Sequence, residues 1–164
     1  MSSQQQISSH ALPHMLVGRS PLKSLPTHRR VILCVDDDAA ELTLRTAILQ
    51  ASGYDVITAG NGPEGLAILG TTRVDAVMLD YEMPIMNGEA VAMAAREMKL
   101  RVPIVVMSGH AACELPQRLF TLIDGYVAKG VSPTHWLGLL DEVLASVEGD
   151  REMCEVVGEA LCFY

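Results

Sequence analysis

The feature that most constrains this 164-residue chain is a series of strand-length apolar runs, most of which end in a polar or charged residue. Residues 31–35 run into Asp36-Asp37-Asp38, residues 76–79 into Asp80, and residues 104–107 into Ser108. Residues 55–59 form another such run, and the weaker 126–128 leads into Lys129. Between them lie segments with helical signals. Residues 39–51 place Leu42, Ile48 and Leu49 at helical spacing before Gly53. Residues 63–69 follow Asn61-Gly62, and 89–98 follow Asn87, a favoured N-cap. Ser132-Pro133 opens a last helix carried by Trp136, Leu139, Leu140, Val143 and Leu144. Strands that alternate with helices predict a parallel sheet covered on both faces, and near-continuous apolar strands are what such a doubly covered sheet needs. Sites in sheets of this kind form beyond the carboxyl ends of the strands.

Composition narrows the function. With 49% apolar and 20% charged residues, the chain can bury a core without disulfides or metal staples. A formal net charge of −8 argues against non-specific nucleic-acid binding, which needs a basic surface. Cys34, Cys113, Cys154 and Cys162 form neither a CxxC pair nor a disulfide framework, and Cys34 falls in an apolar run, so reduced thiols in a cytoplasmic protein are expected. No apolar run approaches bilayer length. Residues 1–28 are polar, interrupted by proline and without a basic signal-peptide start, and are expected to form a flexible leader; a misassigned start codon is the alternative. The segment 148–164 is expected to be a short C-terminal tail without an output domain, its apolar end either docked or frayed.

If the sheet is right, Asp36, Asp37, Asp80, Ser108 and Lys129 meet at one edge. Clustered carboxylates either shift their pKa values upward or hold a cation, and Mg²⁺ with its oxygen ligands is the usual ion beside phosphate chemistry. A carboxylate can attack phosphorus, and a lysine and a hydroxyl can bind the phosphoryl oxygens. Taken one at a time, each residue has a plainer role. Asp38 reads as a helix N-cap, a lone Ser108 as a turn residue, a lone Lys129 as a surface charge, and Tyr126 equally as a static core residue. Their joint placement, each after a different strand, favours the site.

The same residues carry a family resemblance. The run from Val31 through Asp36-Asp37-Asp38 resembles the first strand and acidic pair of response-regulator receiver domains. Asp80-Tyr81-Glu82-Met83-Pro84-Ile85-Met86-Asn87-Gly88 is similar to that family's phosphoacceptor segment, and the stretches ending at Ser108-Gly109 and at Lys129 match its later blocks in order. The resemblance covers residues 30–146 and places the receiver domain at 29–147. It implies a flavodoxin-like doubly wound five-stranded parallel sheet, order 2-1-3-4-5. It also implies Mg²⁺ held by Asp36, Asp37, Asp80 and the backbone carbonyl of Glu82, with phosphorylation on Asp80 by a histidine kinase or phosphotransfer protein. Ser108 and Lys129 would bind the phosphoryl group, and Ser108 and Tyr126 would form the switch. Glu82 and His110, two residues past Asp80 and Ser108, are expected to tune hydrolysis of the phosphoryl group from the mouth of the site. Output is expected through a downstream protein, without DNA or membrane contact, with dimerisation on phosphorylation as an option and no catalysis beyond the protein's own phosphorylation and dephosphorylation.

Three departures accompany the resemblance: Gly130 stands where the family has proline, Ser108 replaces threonine, and residues 109–122 lack helical periodicity around Pro116, so a short or irregular fourth helix is expected. Three rivals fit less well. An FMN site would put its phosphate against three aspartates, a haloacid-dehalogenase nucleophile needs a D-x-D-x-T pattern that Asp36-Asp37-Asp38-Ala39-Ala40 lacks, and a pseudo-receiver would not retain every phosphorylation residue.

Overall fold

The computed structural model describes residues 29–160, with side chains as far as residue 147; the expected leader, 1–28, and the apolar end, 161–164, lie outside the described residues. Five strands, β1 (Val31–Val35), β2 (Asp55–Ala59), β3 (Ala76–Asp80), β4 (Ile104–Ser108) and β5 (Gly125–Ala128), pair in parallel in the order 2-1-3-4-5. Four helices, α1 (Ala39–Ala51), α2 (Gly62–Thr71), α3 (Gly88–Glu97) and α4 (Pro133–Ala160), accompany them. This is the doubly wound sheet expected from the alternation of apolar runs and helical segments.

The strands read as unbroken apolar runs because both their faces are covered. Leu33, Val35, Val77, Leu79, Ile104 and Val106 pack on one side with Leu69 of α2 and Val91, Ala92 and Ala95 of α3. Ile32, Cys34, Ala76, Met78, Val105 and Met107 pack on the other with Leu49 of α1 and Trp136, Leu140 and Val143 of α4. Burial pushes the Cys34 thiol up to about 12, which makes it an inert core residue.

Helix starts are set by short polar side chains that accept otherwise unpaired backbone N–H groups. Asp38 caps α1 through Ala40 N at 2.7 Å, Asn61 caps α2 through Glu64 N at 2.9 Å, and Asn87 caps α3 through Ala90 N at 3.0 Å. No regular helix forms between β4 and β5. Two 3₁₀ turns, Ala112–Glu114 and Gln117–Thr121, take its place on either side of Pro116, as the missing periodicity predicted. The last helix, by contrast, runs past residue 147, so the backbone of the segment expected as a tail is helical as far as Ala160.

The loop after β3 is the tightest part of the fold. Gly88 N donates to Tyr81 O at 2.9 Å, folding the loop back on the strand that carries Asp80. A Cβ on Gly88 would stand 2.6 Å from Asp80 O and 2.9 Å from Tyr81 Cα, both backbone atoms that cannot step aside. Within the loop, Met86 N donates to Pro84 O at 2.7 Å across Ile85, whose φ is 70°. That is the pattern of a γ-turn with positive φ at its centre, a conformation that costs a β-branched residue roughly 1–2 kcal/mol. Gly88→Ala is therefore expected to lower stability by about 2 kcal/mol through overpacking, and Ile85→Asn to raise it by about 1 kcal/mol through relief of strain. Urea denaturation of both variants checks the pair, and the same sign for both would refute this account of the loop.

Candidate functional site

The register of the sheet brings the strand ends together. Val35 pairs with Leu79, so Asp36 follows β1 beside Asp80 at the end of β3. Ser108 pairs with Ala128, and Lys129 N donates to Ser108 O at 2.7 Å, which fixes the start of the lysine's loop. Carboxylate oxygens of Asp36, Asp37 and Asp80 all lie within 4.8 Å of one another. Asp36 and Asp80 are each 1% exposed, whereas Asp37 faces solvent.

Lys129 Nζ stands 2.6 Å from Asp80 Oδ1 as an ion pair. Burial raises the Asp80 carboxyl above its ordinary value, with the Asp36 charge adding to it, and the contact with Lys129 offsets only part of the rise. For Lys129, burial alone would lower the amine; the Asp80 and Asp36 charges outweigh it, and the amine is raised. A buried carboxylate beside two further carboxylates is a donor set suited to a hard divalent cation. The expected ligands Asp36, Asp37 and Asp80 are thus brought together.

Asp36 carries more contacts than its sequence position suggested. Its Oδ1 accepts Asp38 N at 2.9 Å, and its Oδ2 accepts Arg45 NH2 at 3.0 Å. Arg45 is itself buried, on the inner side of α1. Sequence reasoning missed it, although one signal was available: a charge set three residues past Leu42 and three before Ile48, on the apolar stripe of the helix.

The remaining candidates line the β4 side. Ser108 is fully buried, and its Oγ accepts His110 N at 3.0 Å. Glu82 and His110, both half-exposed, meet directly, with His110 Nδ1 3.1 Å from Glu82 Oε1, and Gly109 N donates to Glu82 Oε2 at 3.4 Å. The half-buried Tyr126 donates its hydroxyl to His110 O and packs edge-to-face on Phe120 at 6.1 Å. Three tethers, from Ser108, Glu82 and Tyr126, therefore hold the loop after β4. Gly130 has φ +91°, which proline cannot adopt, and no peptide bond among the described residues is cis.

Comparison with known proteins accounts for this arrangement. The sequence pattern of the response regulator receiver domain matches residues 32–141. This chain belongs to that family. It is 37% identical over 105 residues to the alkaline phosphatase synthesis transcriptional regulatory protein PhoP of Bacillus subtilis, covering 62% of this chain and 43% of that protein. It is 33% identical over 118 residues to the sensor histidine kinase GacS of Pseudomonas protegens, covering 68% of this chain and 13% of that one. The receiver chain thus spans less than half the length of these curated relatives. Among solved structures, the chemotaxis protein CheY4 of Vibrio cholerae superposes with a TM-score of 0.67 at 28% identity, covering 71% of this chain and 99% of CheY4. A CheY-like receiver domain protein of Methanospirillum hungatei gives 0.69 at 28% identity, covering 75% and 99%.

Because the receiver's Asp80 carboxyl is raised above 3.8, the folded protein binds that proton more tightly than the unfolded chain does. Its contribution to stability is then fully present below the ordinary value and is lost as pH rises through the raised folded value. Asp80→Asn carries no charge at any pH, so in chelator its stability is expected to gain on that of the native protein over the range from the ordinary value of 3.8 upward. Urea denaturation across that range measures the gap, and a gap that does not change with pH would contradict the burial penalty on Asp80.

Proposed function

We propose that this receiver domain is the phosphoacceptor of a two-component phosphorelay, taking a phosphoryl group onto Asp80 from a histidine kinase or phosphotransfer protein. The observation that carries this reading is the buried Asp80 carboxylate, paired with Lys129 Nζ at 2.6 Å beside Asp36 and Asp37. An Asp80 oxygen attacks phosphorus as the P–N bond of the donor phosphohistidine breaks, and the electron pair of that bond stays with the imidazole, which takes up a proton. Asp37, Asp80, the Glu82 backbone carbonyl and the inner carboxylate Asp36 would hold Mg²⁺, which when bound offsets the negative charge of nucleophile and phosphoryl group. Lys129 moves its hydrogen bonds from the carboxylate to the new phosphoryl oxygens.

Ser108 supplies a hydroxyl to the same oxygens. Its oxygen already accepts His110 N, so a turn of Ser108 toward the phosphoryl group moves the β4 loop at one of its three tethers, and Tyr126 follows because its hydroxyl is bonded to the His110 carbonyl. Signal output then passes through protein–protein contacts, with dimerisation one form they can take. The net charge of −8 supports an output without DNA contact, although relatives such as PhoP are transcriptional regulatory proteins. No helix among the described residues is long and apolar enough to cross a membrane, and a cytoplasmic location fits the phosphodonor. Beyond its own phosphorylation and dephosphorylation, the domain catalyses no reaction.

Incubation with acetyl phosphate and Mg²⁺ is expected to add one phosphoryl mass to the native protein and none to Asp80→Asn, as read by intact mass spectrometry. A full label on the Asp80 variant would overturn the assignment. Glu82 and His110 set the lifetime of that label. Alanine at either position is expected to change the decay rate by about threefold, ~0.7 kcal/mol of barrier. Because the two side chains contact each other, the double variant should resemble the single ones rather than multiply their effects. Decay rates of the three variants that match the native rate would leave both residues without a part in dephosphorylation.

A further inference from the structure

The acidic pocket contains a second cation that the phosphorelay reading does not use. Arg45 reaches from α1 into the pocket, 3% exposed, and donates NH2 to Asp36 Oδ2 at 3.0 Å. The same nitrogen lies 3.7 Å from the half-exposed Glu41 carboxylate one turn earlier. Its NH1 is buried with no acceptor among the described residues. With Lys129 and Trp136 it also lines a cavity of about 230 Å³.

Burying a guanidinium is unfavourable unless it is paired, and one left with an unsatisfied nitrogen is not placed there for packing. Its partner is not a distant structural acid but Asp36, one of the three carboxylates whose oxygens converge within 4.8 Å. The pairing cancels the charge that Asp36 would otherwise add to the pocket, and it occupies the Asp36 oxygen not already engaged by Asp38 N.

We infer that Arg45 is a built-in counter-cation of this pocket, a positioning residue that holds Asp36 and sets how weakly the pocket grips a divalent ion. This rests on the metal reading proposed above and adds to it. Asp37 and Asp80 carry most of the attraction for the ion, while the Asp36–Arg45 pair behaves as a neutral wall. The pocket can then fill and empty with metal without leaving a buried carboxylate uncompensated in the metal-free protein.

The test is Mn²⁺ binding to the full unphosphorylated chain, followed by electron paramagnetic resonance of the free ion. Arg45→Met, of similar length and without charge, is expected to bind Mn²⁺ about tenfold or more tightly than native protein, the order of effect of one unit charge a few ångströms away at intermediate dielectric. Its melting temperature should also rise more steeply with added Mg²⁺ than that of the native protein. Arg45→Lys, which keeps the charge, should stay within about threefold of native affinity. Arg45→Gln, which keeps a hydrogen-bonding side chain without the charge, decides the matter even if Arg45→Met fails to fold: it too should bind Mn²⁺ more tightly than the native chain. Binding by the folded neutral variants, Arg45→Met and Arg45→Gln, that is no tighter than native would overturn the role of Arg45 while leaving the metal reading intact. Absence of Mn²⁺ binding in the folded native protein would remove both.

Discussion

Repulsion among carboxylates governs the working edge of this protein. Two neighbouring parallel strands, β1 and β3, end in aspartates at matching levels, and the pairing of Val35 with Leu79 forces Asp36 against Asp80. Two unit charges about 4 Å apart interact by ~4 kcal/mol at the effective dielectric of a partly buried site. The surrounding elements can be understood as answers to that repulsion. β5 is placed so that Lys129 follows it into contact with Asp80, α1 turns Arg45 inward onto Asp36, and Asp37 is left in solvent. Asp38, the third member of the run, is taken out of the pocket altogether and made into the cap of α1.

The wall on the β3 side is built to keep the phosphoacceptor where it is. The loop folds back so closely that only hydrogen fits between Gly88 and the backbone of Asp80 and Tyr81, and the cap at Asn87 locks α3 directly behind it. The strained turn at Ile85 follows from the same economy of length. The chain must reverse in few residues, and Ile85 at its tip is fully exposed, so the turn has no packing of its own to relax into.

Much of this was legible before any coordinates. The five apolar runs, the polar residues that follow most of them and the N-cap residues identified a parallel sheet and the converging residues, because those signals are local and backbone chemistry enforces them; the order of the strands came from the family resemblance. The irregular stretch before β5 was legible for the opposite reason, since no helical stripe was available for it to form. What stayed hidden depends on side chains reaching between elements distant in sequence. Arg45 looked like an ordinary helix charge until α1 docked on β1, and the buried Glu89 gave no sign that it would pair with Arg118 across the loop. The segment after residue 147, expected as a tail, is helical in its backbone as far as Ala160, and neither Gly149 nor Gly158 ends the helix.

The structure holds its one irregular strap by an uncommon means. Between β4 and β5 there is no helical ladder of hydrogen bonds, yet the strap's far end is firmly placed, because Arg96 of α3 gathers Leu122 O, Leu100 O and Val102 O and pairs with Asp124. Asp124 in turn accepts Ile104 N at 2.8 Å, tying the same point to the first residue of β4. A planar guanidinium can serve several acceptors at once where an ammonium on a flexible stem cannot. The strap is thus latched beside the pocket in front, seated in the core at Leu115 and Leu119, tied to α3 through Arg118 on Glu89, and fixed behind at Arg96. A displaced latch therefore has only the residues between Ser108 and Leu115 to move before the strap meets its buried anchors.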